Sequence, residues 1–212
     1  MKSLKRIGIY GGTFSPPHLG HVSSAMAFLE QEKLDKLIII PTFLPPHKDL
    51  DHSCSPEERF KMCELAFRDI SNVCVSDMEI KRKGKSYTYT TLTQLREEYS
   101  DASFTLLCGT DMILSFDTWY RFEDVFKMSD VVYMRRENND DISRQITEKV
   151  SEYREKYGAV IRELKGEAID VSSSELRFKI LNGDDVSAFL TKETEEFIRK
   201  WNIYSAKKKK KI

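Results

Sequence analysis

The segment Tyr10–His21 reads YGGTFSPPHLGH and decides the first structural unit of the chain. It follows the apolar run Ile7–Tyr10 and contains three glycines, two prolines and two of the four histidines. Glycine and proline interrupt regular structure, so a strand is predicted at Arg6–Tyr10 and a helix at His21–Lys33, with a turn between them. Such a turn exposes backbone N–H groups at the positive end of the helix dipole, an arrangement that suits a phosphate.

The two histidines, His18 and His21, lie where the helix is predicted to begin. Residues i and i+3 share one side of a first helical turn, and Gly20 between them leaves room for a close ligand. Two imidazoles directed at one phosphate can hold charge that develops during phosphoryl chemistry. The spacing matches neither the dinucleotide-binding glycine motif nor the P-loop motif. From spacing alone, a proline-stiffened turn with two solvated histidines stays open as the alternative.

The rest of the chain repeats an alternation of apolar runs and amphipathic segments, which is typical of βαβ units and a mainly parallel sheet. The further strands are predicted at Lys36–Ile40, Asn72–Ser76, Phe104–Cys108, Val131–Met134 and Val160–Glu163. The further helices are predicted at Ser55–Phe67, Thr90–Tyr99, Thr118–Lys127, Ile142–Tyr157, Ser173–Leu181 and Glu193–Trp201. The clearest helix start is Ser55-Pro-Glu-Glu58, because it combines a capping box with proline at the first helical position.

Composition limits the class of protein. The chain has 212 residues, enough for one well-filled core, so a single domain is predicted over residues 1–206. Its 34 basic and 34 acidic residues balance, which gives no indication of nucleic acid or membrane as a partner. Residues 207–212, which include the run Lys207–Lys211, are expected to form a disordered, solvated tail, with weak binding to anionic surfaces as the alternative.

The sequence also indicates the compartment. No window approaches the roughly 18 consecutive apolar residues of a membrane helix, and the first residues run directly into a strand rather than a signal peptide. The cysteines show no C-x-x-C pair and no metal-ligand spacing, so reduced thiols are predicted at Cys54, Cys63, Cys74 and Cys108. These features predict a cytoplasmic protein.

The predicted sheet indicates where a ligand would bind. In an open parallel sheet, ligands lie beyond the carboxyl ends of the strands, where the strand order reverses. The loops that follow the predicted strands span Gly11–Gly20, Pro41–Ser55, Asp77–Thr90, Gly109–Asp117 and Gly166–Ser174. These loops hold nearly all of the unusual chemistry in the sequence.

Seven segments, in order along the chain, resemble the bacterial nicotinate-mononucleotide adenylyltransferase family of the nucleotidyltransferase superfamily. GGTFSPPHLGH resembles the signature G-G-T-F-D-P-x-H-x-G-H, and VSSSELR at Val171–Arg177 resembles its distant partner I-S-S-T-x-I-R. The other five segments are IIIPTFLPPHK (38–48), SPEERFKM (55–62), SYTYTTL (86–92), GTDMILSFDTWYRF (109–122) and EEFIRKWNIY (195–204). H-x-G-H alone is shared with pantetheine-phosphate and cytidylyl transferases, whereas the whole set is specific.

The resemblance implies a Rossmann-like, doubly wound, mainly parallel sheet with helices on both faces. It implies transfer of AMP from ATP to nicotinate mononucleotide, which gives the deamido dinucleotide and pyrophosphate, with Mg²⁺ assisting. ATP and the mononucleotide are then the partners, and a homo-oligomer is compatible with the family. The chemistry is reasonable because a phosphomonoester has a second pKa near 6, so the attacking oxygen needs no strong general base.

The resemblance also assigns site residues. His18, His21 and Arg177 would be catalytic, with His21 the strongest candidate for stabilising the transition state. The residues that would bind ATP are Gly11, Gly12, Thr13, Phe14, His18, His21, Gly109, Asp111, Ser173, Ser174 and Arg177. The residues that would bind the mononucleotide are Phe14, Thr42, His47, Lys48, Thr88, Trp119 and Tyr120. The resemblance implies no particular metal ligand.

Several of these residues have an ordinary structural alternative. Arg177 by itself is typical of an exposed, salt-bridging arginine. His47 and Lys48 can belong to a rigid, solvated loop, since Pro45 and Pro46 stiffen it. Trp119 can be part of a helix core, the commoner location of an aromatic side chain, or a stacking surface for a pyridinium ring.

Two residues depart from the family pattern. Ser174 stands where the family has Thr and keeps the hydroxyl, whereas Ser15 stands where the family has Asp and lacks the carboxylate. The runner-up function is another small-molecule nucleotidyltransferase, such as one acting on pantetheine phosphate. A catalytically inactive nucleotide-binding regulator is the alternative from another class, and retention of both histidines and Arg177 argues against it.

Overall fold

The computed structural model describes residues 5–46, 54–135, 139–166, 169 and 171–205. Within these residues one sheet contains the strands β1 (Lys5–Gly12), β2 (Lys36–Pro41), β3 (Val73–Val75), β4 (Ala102–Gly109), β5 (Asp130–Met134) and β6 (Ile161–Leu164). Neighbouring strands are all parallel, in the order β3-β2-β1-β4-β5-β6. The order reverses between β1 and β4, as in Rossmann folds. The predicted fold class is therefore confirmed, and so is each of the six predicted strands.

The helices of the described residues connect these strands. They are α1 (Leu19–Gln31), α2 (Pro56–Ala66), α3 (Met78–Arg82), α4 (Thr88–Glu98), α5 (Thr110–Leu114), α6 (Phe122–Met128), α7 (Asp140–Tyr157), α8 (Ser173–Asn182) and α9 (Lys192–Lys200). None of them is long and apolar enough to cross a membrane.

The core lies on both faces of the sheet. One face packs against α1 and α2 through residues such as Phe28 and Cys63, and the other packs against α4 and α7 through residues such as Leu92 and Tyr153. A third cluster joins α2 to α8 and α9, and α2 contributes Met62 to it. Helix α8 contains the predicted ATP-binding residues Ser173, Ser174 and Arg177, and this cluster holds it beside the sheet.

The start of α2 matches the sequence prediction. The Glu58 backbone N–H donates to Ser55 Oγ at 3.2 Å, and the Ser55 N–H donates to Glu58 Oε2 at 2.9 Å. Hydrophobic periodicity predicts that Phe60 faces the core, but Phe60 is only half-buried, whereas Arg59 is 1% exposed. The arginine is buried because it bonds to backbone carbonyls of two loops, a contact that hydrophobic periodicity does not reveal.

The predicted helix Thr118–Lys127 is wrong in its first part. A 3-10 turn at Phe116–Thr118 ends before Trp119, and α6 begins only at Phe122, after Arg121 in a left-handed conformation with φ 55°. This break lets Trp119 stack on Phe116, so side-chain packing overrides the helical pattern.

Two predicted loops contain short helices. Helix α3 lies within Asp77–Thr90, and α5 lies within Gly109–Asp117. Each has five residues, too few to show a hydrophobic period. Helix α1 also begins two residues earlier than predicted, because His18 rather than a later residue is its N-cap.

Candidate active site

A cavity of about 610 Å³ lies at the carboxyl ends of β1 and β4, where the strand order reverses. Its walls come from the loops that follow four strands and from the start of α8. It is lined by every predicted site residue within the described part of the chain: Gly11, Gly12, Thr13, Phe14, His18, His21, Thr42, Thr88, Gly109, Asp111, Trp119, Tyr120, Ser173, Ser174 and Arg177. The predicted residues His47 and Lys48 lie outside the described residues.

The two histidines form one unit at the start of α1. His18 is the N-cap, 2% exposed, and its ring centroid lies 3.6 Å from that of His21. The His18 backbone N–H donates to His21 Nδ1 at 3.1 Å. Because Nδ1 is an acceptor, a neutral His21 carries its proton on Nε2. His21 thereby presents an N–H donor on the ring edge opposite the helix cap.

Arg177 connects the second motif to the first. Its Nη1 donates to the Ser15 carbonyl oxygen at 2.8 Å, and its Nη2 donates to Ser174 Oγ at 3.1 Å. Ser173 Oγ donates to the Pro16 carbonyl oxygen at 2.9 Å. These bonds hold the start of α8 against the loop after β1, so two segments about 160 residues apart in sequence form one wall. Arg177 is therefore more than a surface arginine.

Ser15, the departure from the family signature, has a structural partner. Its residue is 6% exposed, and its Oγ lies 3.0 Å from the hydroxyl of Tyr204, beyond the last helix. Burial raises the pKa of Tyr204 well above its usual value, so this hydroxyl stays neutral. At this position the chain uses a neutral hydrogen bond to its C-terminal segment in place of a carboxylate.

Two cavity glycines leave space that no atom of the described residues fills. A Cβ at Gly11 or at Gly109 would meet none of these atoms within 4 Å. Gly20 differs: its Cβ would lie 3.0 Å from the His18 ring and 3.3 Å from Val171. The prediction that Gly20 makes room for a ligand is therefore wrong, because the histidine ring occupies that space.

The opposite end of the cavity is aromatic. Trp119 stacks on Phe116 with centroids 4.3 Å apart and planes inclined by 15°, and Phe116 stacks in turn on the core residue Phe126. Trp119 thus belongs to the core on one side and to the cavity wall on the other. Tyr120 is 52% exposed and lies 4.9 Å from the ring of Tyr87, which precedes α4.

The first turn of α4 faces this aromatic end. Thr88 and Thr91 both line the cavity, and the N-cap Tyr87 provides no side-chain cap to the helix. The first N–H groups of a helix lack intrahelical partners and carry partial positive charge. This helix start suits an anionic group.

Sequence reasoning missed Arg59. Its Nη1 donates to the Thr13 carbonyl oxygen at 2.8 Å and its Nη2 to the Phe43 carbonyl oxygen at 3.3 Å. Burial lowers its pKa, although an arginine stays charged under all ordinary conditions. Arg59 therefore ties the loop after β1 to the loop after β2.

Sequence reasoning also missed Glu79 and Thr91. Both are buried, both line the cavity, and Thr91 Oγ1 donates to Glu79 Oε1 at 2.5 Å. A single glutamate in a predicted loop is usually solvated, so nothing in the sequence indicated that Glu79 is buried.

The described residues that line the cavity form neither a metal centre nor an activated thiol. No group of three or more histidine, cysteine or acidic side chains comes together within the described ranges, so these residues do not build a metal site by themselves. Cys108 lines the cavity, but burial raises the pKa of its thiol and it stays protonated. The four cysteines are free thiols, as predicted.

This architecture is that of a nucleotidyltransferase. The chain matches the cytidylyltransferase-like family over residues 9–179 and belongs to it. A protein of Lachnoclostridium phytofermentans named "probable nicotinate-nucleotide adenylyltransferase" is 35% identical over 201 residues, covering 95% of this chain and all of that protein. One of Fusobacterium nucleatum with the same name is 34% identical, covering 92% and 97%. The structure of Plasmodium falciparum nicotinic acid mononucleotide adenylyltransferase complexed with NaAD shares the fold, with a TM-score of 0.72, 17% identity and coverage of 94% and 97%.

Proposed function

We propose that this chain is a nicotinate-nucleotide adenylyltransferase, which transfers AMP from ATP to nicotinate mononucleotide and forms nicotinate adenine dinucleotide and pyrophosphate in NAD biosynthesis. One observation carries the proposal: both signature motifs, the aromatic residues and the start of α4 line a single cavity at the switch point of the sheet. The relatives that match over nearly the whole chain bear the name of the same enzyme.

The reaction is an in-line displacement at the α-phosphorus of ATP. A phosphate oxygen of the mononucleotide forms a bond to this phosphorus, and the bond to the bridging oxygen of the β-phosphate breaks, so pyrophosphate leaves with the electron pair. The attacking phosphate is largely ionised at neutral pH, and no side chain has to remove a proton. Catalysis then depends on positioning and on stabilising the developing charge.

His21 and Arg177 supply that stabilisation. His21 Nδ1 accepts from the His18 backbone N–H, so neutral His21 carries its proton on Nε2. This Nε2–H group donates to a phosphate oxygen of the transferring group. Arg177 is held by its bonds to Ser15 and Ser174, and its permanent positive charge is proposed to stabilise the leaving pyrophosphate. Ser173 and Ser174 offer further donors at the start of α8.

The nucleosides occupy the two ends of the cavity. ATP lies over the open space at Gly11 and Gly109, with its adenosine beside Asp111. Thr13 and Phe14 lie between the two substrates. At the other end Trp119 stacks on the pyridinium ring.

The acceptor's carboxylate is recognised by backbone N–H groups at the start of α4, near Thr88 and beside Tyr120. These groups donate to a carboxylate and offer nothing to an amide nitrogen. Thr42, His47 and Lys48 are proposed to meet the acceptor's phosphate.

Mg²⁺ is proposed to enter with ATP. Mg²⁺ commonly binds through substrate phosphates and few protein carboxylates, and the residues described here form no metal cluster of their own. Its chemistry would be to neutralise phosphate charge. We further propose a cytoplasmic enzyme, since its cysteines are free thiols, and one functional domain over residues 1–206, since both ends of the cavity come from loops of one sheet.

The test is pyrophosphate release from ATP with a panel of phosphorylated acceptors. Nicotinate mononucleotide is expected to exceed nicotinamide mononucleotide in kcat/KM by about 10⁴, because a mismatched buried polar site strongly rejects the wrong group. Phosphopantetheine is expected to be inactive, and a His21→Ala preparation controls for contaminating activity. Preference for phosphopantetheine, equal use of the two mononucleotides, or preference for the amide would each show that the proposed acceptor is wrong.

A further inference from the structure

Glu79 is a buried carboxylate in the wall of the acceptor end of the cavity. It is 6% exposed and lines the cavity together with Thr88, Thr91 and Trp119. Its Oε2 has no hydrogen-bond partner among the residues that the structure describes. A carboxylate of this kind is unexpected in a site proposed to receive the carboxylate of the acceptor's ring, since like charges repel most strongly where water is excluded.

The other carboxylate oxygen belongs to a small polar network. Oε1 accepts from Thr91 Oγ1 at 2.5 Å and lies 3.8 Å from Nη2 of Arg82. The same Nη2 donates to Thr91 Oγ1 at 3.0 Å, and Arg82 Nη1 donates to Gln94 Oε1. Arg82 is itself largely buried, with its side chain 19% exposed. The cation is therefore anchored to α4 at two points and faces the carboxylate.

This network lies close to the start of α4. Thr91 follows Thr88 by three residues, so the two share one face of the helix and are separated by about 4.5 Å along its axis. A carboxylate held by the first N–H groups of α4 would lie about one helical turn from Thr91, the residue that bonds to Glu79. At that distance a net charge on the Glu79–Arg82 pair acts directly on the acceptor's ring substituent.

We propose that Arg82 and Glu79 together set the acceptor preference: Arg82 neutralises the buried Glu79, and this keeps the acceptor end of the cavity open to a ring that carries a carboxylate. The inference rests on the proposed function. Arg82 does not touch the acceptor. It acts by neutralising Glu79 and by changing the electrostatic potential at the site, so it is a positioning and specificity residue. Both acceptors carry the same pyridinium charge, so the ratio of acid to amide isolates the response of the ring carboxylate, which the amide lacks.

The experiment compares kcat/KM for nicotinate and nicotinamide mononucleotide in a charge series. Glu79→Gln leaves the pair at +1, the wild type and the double variant Glu79→Gln/Arg82→Gln leave it at 0, and Arg82→Gln leaves it at −1. The ratio of acid to amide is expected to change by about tenfold to thirtyfold per unit of charge, through KM of the two acceptors. The highest ratio belongs to Glu79→Gln and the lowest to Arg82→Gln, with the double variant returning towards the wild type.

Lys81→Gln is the matched control, because Lys81 lies on the same short helix, is 75% exposed and pairs with Asp77 outside the cavity. It is expected to leave the ratio unchanged. Thermal unfolding identifies any variant that does not fold, and Glu79→Gln, which conserves size, tests the proposal by itself if the Arg82 variants are unstable. A merely structural role would lower both acceptors together in every variant.

The outcomes separate this inference from the proposed function. A wild type that prefers the acid, combined with the same ratio in all four proteins, overturns the charge-pair inference and leaves the proposed function standing. A double variant with the low ratio of Arg82→Gln also overturns it, because the loss would not depend on Glu79. A wild type that does not use nicotinate mononucleotide contradicts the proposed function itself.

Discussion

Trp119 stacks on Phe116 with ring centroids 4.3 Å apart and an interplanar angle of 15°. One face of the indole is therefore covered by the core, and the residue lines the cavity with the rest of its surface. Phe116 is fully buried and stacks on Phe126, so the orientation of the indole is fixed before any ligand binds. A preordered aromatic surface reduces the entropy lost on binding a planar ring.

Trp119→Ala is expected to raise KM for both mononucleotides by about tenfold or more, because the stacking surface is lost for either ring. Trp119→Phe should retain part of the effect. Trp201→Ala is the control, since Trp201 is 57% exposed at the end of α9 and outside the cavity. Steady-state kinetics with ATP held saturating measure the change. An unaltered KM in a folded Trp119→Ala protein would remove the tryptophan from the acceptor site.

His21→Ala is expected to lower kcat by two to three orders of magnitude, since an oriented donor to the developing charge is removed. The loss of the His18 N–H partner should cost about 1 kcal/mol of stability, as with other helix caps. Turnover is measured by pyrophosphate release, and urea unfolding separates the two effects. Turnover within a few-fold of wild type would exclude the proposed role.

Arg177→Met is expected to reduce kcat/KM by roughly a hundredfold or more, whereas Arg177→Lys should lose less because it keeps the charge without the fork that contacts Ser15 and Ser174. Arg199→Met provides a matched loss of charge, because Arg199 is 70% exposed and pairs with Glu195 on α9. The prediction is contradicted if the Arg177 and Arg199 variants have the same kinetics.

Gly11 and Gly8, both on β1, are expected to respond in opposite ways to alanine. A Cβ at Gly11 enters empty cavity space, so Gly11→Ala should leave the melting temperature nearly unchanged and raise KM for ATP. A Cβ at Gly8 would lie 2.4 Å from Leu34 and 2.8 Å from Phe28, so Gly8→Ala should destabilise the fold by about 1–3 kcal/mol. Calorimetry and kinetics on both variants test the contrast, which fails if Gly11→Ala is the less stable protein.

Arg59→Met is expected to destabilise the protein by about 1–3 kcal/mol, because the carbonyl groups of Thr13 and Phe43 lose their buried donor. KM for both substrates should also rise, since the two loops lose their link. Arg59→Lys should restore only part of both losses, because one ammonium group does not reproduce the guanidinium fork. Urea denaturation and kinetics on the same samples measure them. A full rescue by lysine would show that only the charge matters.

The order of the strands and of the longer helices was predictable because it depends on local signals. The apolar runs, the proline and glycine punctuation and the Ser55–Glu58 capping box are each contained in a few neighbouring residues, and the structure confirms them. The predicted site residues were brought to one cavity for a related reason: in a parallel sheet, loops that follow the strands meet at one edge.

The contacts that complete the site depend on residues far apart in sequence, and only the tertiary structure decided them. The burial of Arg59 and Glu79, the break before Trp119 and the hydrogen bond from Ser15 to Tyr204 each arise from packing between distant segments. A buried charge is stable only where specific partners offset the loss of its hydration, and those partners are known only when the chain has folded. The sequence by itself determined the fold and the edge of the sheet where the candidate site lies, while the tertiary structure determined which charged side chains are buried and paired beside the cavity.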